Sequence, residues 1–266
     1  MGPLDLYQLA VSKNEIQSDS AQLEAMEQLQ GLYLALTRRE NEPGLLSKLF
    51  AKPKRELVPG LYFWGGVGRG KTYLMDVFYD ALPFAEKKRT HFHRFMRHVH
   101  QELKALDGQK DPLLLVADRF AEQTRVLCFD EFFVSDITDA MILAGLMEAL
   151  FARGVTLVAT SNIVPDDLYK DGLQRSRFLP AISLIKQHTV TVNVDGGVDY
   201  RLRALERAEL YHCPLDYEAD ISLRRSFDAL APEAGQADLE IEVEGRNIPA
   251  RWVADDVAWF DFKALC

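Results

Sequence analysis

The chain has 266 residues, 48% of them apolar and 27% charged, with a net charge of −9 and three cysteines. That length and apolar share suit one large α/β core with appendages, and the acidic balance argues against general nucleic-acid binding. Cys128, Cys213 and Cys266 are too few and too scattered for a disulfide framework or a zinc set, which points to a reducing, cytoplasmic compartment.

In chain order, the opening Met1-Gly2-Pro3-Leu4-Asp5-Leu6 reads neither as a secretory leader nor as a myristoylation signal. Asp19 or Ser20 can cap a helix whose apolar positions Leu23, Met26, Leu29, Leu32, Tyr33 and Leu36 recur every three or four residues. Residues 40–59 are irregular and include the basic cluster Lys52-Pro53-Lys54-Arg55, which reads as a solvated loop, as does Lys87-Lys88-Arg89. Five strands are expected at Leu61–Trp64, Thr90–Phe95, Val126–Phe129, Val155–Thr160 and Thr189–Val194, with helices filling most of the gaps. Such alternation predicts a parallel sheet covered on both faces. The apolar stretch Met141–Ala152 contains Glu148 and is too short to span a bilayer, so no transmembrane segment is expected. Beyond Tyr200, Leu202–Leu210 and Tyr217–Leu230 look helical, and Ala231 to Gln236 reads as a linker. Leu239, Ile241, Val243 and then Ile248, Ala250, Trp252 alternate around Gly245-Arg246-Asn247, a β-hairpin signature. The expected division is an N-terminal helical segment with linker (1–55), a nucleotide-binding core (56–200) and a helix-plus-hairpin appendage (201–266).

The chemistry concentrates in Gly65-Gly66-Val67-Gly68-Arg69-Gly70-Lys71-Thr72, which fits the phosphate-binding P-loop pattern between a buried strand and a helix. Glycines let backbone N–H groups close on an anion, and the helix N-terminus adds partial positive charge. Lys71 is expected to reach the β- and γ-phosphates, Thr72 to ligate Mg2+, and Tyr73 to complete the nucleotide-binding run. Downstream, Val126-Leu127-Cys128-Phe129-Asp130-Glu131 is an apolar strand ending in two acids. Asp130 suits the metal, and Glu131 is placed to orient or deprotonate a water, which favours hydrolysis over transfer. Asn162, at the polar tip of the next strand, can hold that water or touch the γ-phosphate. Arg175 and Arg177 are candidates for an arginine finger reaching a neighbouring subunit's nucleotide. Four histidines crowd one stretch: His91, His93, His98 and His100. His91 and His93 would share a strand face, but with no cysteine or acid pair beside them, packing near the nucleotide or a subunit contact is favoured over a metal site.

Taken with these motifs, His91-Phe92-His93-Arg94-Phe95-Met96, Asp136-Ile137-Thr138-Asp139-Ala140-Met141-Ile142-Leu143, Leu168-Tyr169-Lys170-Asp171-Gly172-Leu173-Gln174-Arg175 and Val198-Asp199-Tyr200-Arg201 resemble the ZapE cell-division ATPase family of the AAA+ superfamily, which has a mitochondrial relative. The resemblance covers almost the whole chain. It implies a P-loop NTPase fold with a five-stranded parallel sheet, ATP as substrate with Mg2+, and Walker A roles for Gly65, Gly70, Lys71 and Thr72. It also implies Walker B roles for Asp130 and Glu131, a sensor role for Asn162, and Arg175 in preference to Arg177 as the finger. It further implies a cytoplasmic protein recruited to the division septum, acting on FtsZ polymers and self-associating so that the finger works in trans. Members of that family usually continue past a Phe-Asp-Phe-x-x-Leu-Cys segment, and Phe260–Cys266 ends this sequence, so the resemblance implies that a C-terminal part is missing. Two other readings keep the fold: a nucleic-acid remodeller of the helicase-loader kind, or a nucleotide-gated binding module with little turnover.

Overall fold

A computed structural model of the chain describes residues 1–16, 18–38, 55–195, 214–230, 235–243, 245–254 and 257–265. The expectations on Lys52–Lys54, Asp199–Arg201, Leu202–Leu210, Ala231–Ala234, Cys213 and Cys266 lie outside those residues. The chain divides into two compact units, Met1–Gly197 and Val198–Cys266.

The first unit opens with two helices, α1 (Pro3–Ser12) and α2 (Ser20–Arg38). Asp19 caps α2: its Oδ1 accepts from the backbone N–H of Ala21 at 2.7 Å and of Gln22 at 3.1 Å, groups the helix itself leaves without partners. The elements that follow are β1 (Gly60–Trp64), α3 (Lys71–Ala81), β2 (Lys87–His91), α4 (Phe92–Ala105), α5 (Pro112–Gln123), β3 (Val126–Asp130), α6 (Ile137–Ala152), β4 (Thr156–Ser161), α7 (Leu179–His188) and β5 (Thr189–Asn193). The strands form one parallel sheet in the order β2-β3-β4-β1-β5. The expected fold class, a P-loop α/β core around a five-stranded parallel sheet, is what the chain adopts.

Strand alternation sorts the core into two layers. Tyr62, Leu127, Phe129, Leu157 and Ala159 face a cluster built with Phe92, Phe95, Phe120, Leu146 and Ile182 of α4–α7. Leu61, Phe63, Val126, Cys128 and Val158 face the opposite side and meet Tyr7, Met26, Leu29, Leu74 and Phe78 of α1–α3. Fully burying each aromatic side chain contributes on the order of 1.5–3 kcal/mol, so both layers anchor the sheet. As expected, Cys128 is a buried core residue, and burial pushes its thiol pKa well up.

Three expectations are corrected. The second strand runs over Lys87–His91 rather than Thr90–Phe95. Phe92, Phe95, Met96 and Val99 instead form the buried stripe of α4 at helical spacing. His91 therefore ends a strand while His93 belongs to a helix, and their rings stack at 5.9 Å rather than sharing a strand face. Lys87-Lys88-Arg89 is likewise not a solvated loop but the body of that strand, paired with Val126-Leu127-Cys128. Being at the sheet edge, the strand tolerates charge where a central strand would not.

Taken by itself, the second unit comprises α8 (Tyr217–Leu230), β6 (Gln236–Val243), β7 (Arg246–Ala254), β8 (Val257–Trp259) and α9 (Phe262–Leu265). The expected hairpin is present as β6 and β7, with Ile241 opposite Ile248 and Leu239 opposite Ala250. The guanidinium of Arg224 lies 3.4 Å from the centre of the Trp252 ring, pinning α8 to the hairpin.

Gly60 shows how tightly the sheet is drawn together. A Cβ at this position would stand 1.7 Å from the carbonyl oxygen of Leu157 on β4. Gly60→Ala is therefore expected to lower the unfolding free energy by about 3 kcal/mol through overpacking, as read from the shift of the urea midpoint.

Candidate active site

The loop from Gly65 to Gly70 joins β1 to the N-terminus of α3, so Lys71 and Thr72 are the first two helical residues. Gly70 adopts a left-handed conformation with φ of +77°, and a Cβ there would come within 2.4 Å of Gln22 Nε2. Gln22 is buried in α2 and donates to the carbonyl oxygen of Arg69 at 3.3 Å. An amide in α2 thus braces the turn from behind. Arg69 itself closes the loop sideways, its Nε lying 2.9 Å from Asp195 Oδ1 just past β5. Val67 is exposed at the loop crest, while Tyr73 turns away and packs into the α1–α3 layer, where burial first and then the charges of Tyr7, Glu15 and Asp76 raise its pKa.

The Lys71 ammonium donates to three oxygens: the carbonyls of Gly65 and Gly66, each at 2.7 Å, and Asn162 Oδ1 at 2.8 Å. Asn162 follows β4, which lies between β1 and β3, so its amide reaches the phosphate loop from the middle of the sheet.

Asp130 ends β3 and is nearly buried. Both its oxygens accept from Arg89 of β2, Nε to Oδ2 at 2.6 Å and Nη2 to Oδ1 at 3.2 Å. The remaining arm of Arg89 pairs with Asp76, one helical turn beyond Thr72 on α3. Burial works against the Arg89 charge, but the hydrogen bonds and charges of Asp130 and Asp76 outweigh it and raise its pKa. The Thr72 hydroxyl and the Asp130 carboxylate are hard oxygen donors, the kind magnesium takes, so this donor set fits the ion.

The next residue, Glu131, is exposed and holds a left-handed φ of +52°, rare for a non-glycine residue. Neighbouring bonds force it there. Its N–H donates to Thr160 Oγ1 at 3.3 Å, Phe132 N–H donates to the Thr160 carbonyl at 2.7 Å, and Ser161 Oγ donates to the Phe132 carbonyl at 2.7 Å. These bonds stitch the tips of β3 and β4 together. Tyr62 Oη donates to the Ile163 carbonyl at 2.9 Å and fixes the far side of Asn162, with burial holding that phenol pKa high. Beside Asn162 opens a cleft of about 600 Å³, lined among others by Trp64, Phe133, Ser135 and Lys170.

Arg175 and Arg177 lie in a short 3-10 turn before α7. Arg175 Nη2 donates to the Asp166 carbonyl at 2.5 Å, and Arg177 is exposed. The structure thus gathers Lys71 with Asn162, and Asp130 with Glu131 at a tip stitched to β4, while Arg175 is bonded to Asp166. Sequence reading passed over Arg89, Asp76 and Gln22. The signal for Arg89 was one cation in a charged strand beside an acid-tipped one, and treating the run as solvated hid it.

The AFG1-like ATPase family model matches residues 1–266. The chain is 50% identical over 274 aligned residues to the cell division protein ZapE of Escherichia coli K12, covering 99% of this chain and 73% of that protein. It is 39% identical over 221 residues to lactation elevated protein 1 homolog B of Danio rerio, covering 78% of this chain and 44% of that protein. Among solved structures, that of DnaI aligns at 15% identity and a TM-score of 0.47, over 70% of this chain and 87% of that one, a likeness too slight to carry argument.

The backbone of Glu131 yields a direct test. A left-handed non-glycine residue costs about 1–2 kcal/mol, and glycine's greater unfolded-state entropy takes back about 0.5–1. Glu131→Gly is therefore expected to stabilise the fold by roughly 0.5–1 kcal/mol, seen as a higher denaturation midpoint.

Proposed function

The chain belongs to the AFG1-like ATPase family and is an ATPase; from that premise we propose that it hydrolyses ATP with Mg2+ and spends the energy on remodelling FtsZ filaments at the bacterial division septum. The observation that carries the catalytic half is the 2.8 Å bond from Lys71 to Asn162, beside a strand tip that also carries Asp130 and Glu131. Phosphate cation, polar amide and acid pair converge at the carboxyl ends of three neighbouring strands, where open α/β sheets bind ligands.

In this reading Lys71 and the amides of Gly66 to Thr72 hold the phosphates, with Gly65 opening the turn. Thr72 and Asp130 hold the Mg2+, which supplies Lewis-acid neutralisation of phosphate charge. Glu131 orients the attacking water and accepts its proton, and Asn162 keeps that water in line. The target follows the likeness to a relative named as a cell division protein and the family resemblance read from the motifs. No helix among the described residues is long and apolar enough to cross a membrane.

Arg175, with Arg177 as the second choice, serves as a finger for a neighbouring copy. Supporting this, Arg175 is held by the Asp166 carbonyl of an earlier turn while Lys71 is served by Gly65, Gly66 and Asn162. The cleft beside Asn162 gives an incoming guanidinium a route.

Glu131→Gln should retain ATP binding and lose hydrolysis by at least about 100-fold, whereas Lys71→Ala should lose binding itself, as read by calorimetry beside phosphate release. A Gln variant that hydrolyses as fast as the unaltered protein overturns the assignment of Glu131. Specific ATPase activity should rise with protein concentration, and Arg175→Ala should flatten that rise; activity strictly proportional to concentration removes the finger in trans. ATP should shorten FtsZ filaments in the presence of this protein, and filaments indifferent to it in sedimentation and electron microscopy would remove the proposed target.

A further inference from the structure

Arg89 does something that the proposed reaction does not yet use. Its side chain joins three elements: β2 supplies it, β3 supplies its partner Asp130, and α3 supplies its partner Asp76. Those last two elements carry the two proposed Mg2+ ligands, Thr72 and Asp130. Asp76 sits four residues after Thr72, on the same face of α3. A guanidinium is a planar fork, and two of its edges used at once fix direction as well as distance. Arg89 therefore acts as a strut between the helix bearing Thr72 and the strand tip bearing Asp130.

Charge points the same way. Asp76 and Asp130 are two carboxylates on one small patch, and Arg89 is 21% exposed in its side chain against 12% for Asp130. Without the cation their like charges would repel each other, screened by solvent on the Asp76 side, whose side chain is 48% exposed, and less so at Asp130. With it the trio keeps a net charge of −1, enough to attract a divalent ion without splaying the two acids. A carboxylate offers about four lone-pair positions, and Arg89 takes one on each oxygen of Asp130, leaving the others for the ion or its waters.

We propose that Arg89 is a positioning residue for the metal: acting through Asp130 and Asp76, it sets the span between Thr72 and Asp130 and so determines how strongly Mg2+ reinforces nucleotide binding. The inference rests on the Mg2+ part of the reading above. It concerns the metal increment to binding rather than binding or turnover as such.

The experiment measures the affinity of a fluorescent ATP analogue in MgCl2 and again in EDTA, for the unaltered protein and for Arg89→Lys, Arg89→Ala and Asp76→Asn. The readout is the ratio of the two dissociation constants. Loss of a group that orients a metal ligand typically costs about 10–100-fold, so the ratio should fall by at least about tenfold in Arg89→Lys and Arg89→Ala, with the EDTA affinity changed far less. Asp76→Asn, which leaves Asp130 held, should fall between these and the unaltered protein. Lysine keeps a cation in place, so Arg89→Lys answers the question even where Arg89→Ala fails to fold. An Arg89→Lys protein with the full Mg2+ increment overturns the inference, as does a loss equal in MgCl2 and EDTA, which assigns Arg89 to the fold alone. An unaltered protein with no Mg2+ increment overturns the metal reading itself.

Discussion

The position of β4 is the constraint on which the site depends. Because it lies between β1 and β3, the phosphate loop and the acid-tipped strand are never hydrogen-bonded to each other. Although Arg89 ties α3 to Asp130 from the β2 side, within the sheet what brings them into register passes through β4. Its Thr160 and Ser161 grip the backbone after β3, and the residue after it, Asn162, grips Lys71. Thr160 and Ser161 at the end of β4, with Asn162 just after it, thus serve both neighbours at once. Their small size matters, since a larger side chain at Thr160 or Ser161 could not sit buried with its oxygen bonded to the adjacent backbone.

Rigidity at the strand tips contrasts with how the loop is held. Along the backbone at Glu131 and Phe132 the bonds are backbone to backbone or backbone to a short hydroxyl. Around the phosphate loop the supports are side chains reaching from other elements, Gln22 from α2 and Asp195 from beyond β5. The strained backbone of Glu131 belongs to the first kind of environment. Strain persists only where surrounding structure over-determines it, and here the bonds to Thr160 do so. The catalytic carboxylate proposed for this ATPase is thereby aimed by its neighbours rather than by its own rotamer.

Much of this was legible because the informative signals are local. The phosphate loop is a contiguous pattern between a strand and a helix, and Asp130-Glu131 ends a run too apolar to be anything but a core strand. The hairpin around Gly245 was equally readable from alternation and a turn residue. What escaped depends on pairs far apart in the chain. Arg89 gains its meaning only from Asp130 and Asp76, and an edge strand made of Lys87, Lys88 and Arg89 carries no hydrophobic period to announce it. The strand was then placed too late because Phe92 and Phe95 are as apolar as strand residues, although their spacing of three is helical. The helix α1 is only ten residues long, and its buried residues Pro3, Tyr7 and Ala10 include just one large apolar group, so no reading of the sequence marked it.

The satisfied state of Lys71 has a consequence for discrimination among anions. Its ammonium already spends all three N–H groups on carbonyl and amide oxygens, so any arriving anion must trade for bonds rather than simply accept them. A lone monovalent ion offers too few oxygens to compensate for that exchange. On the proposed reading of this loop as a phosphate site, a polyphosphate chain would present several oxygens at once and engage the loop amides in the same step, so the trade would favour polyvalent anions over the monovalent salt around them.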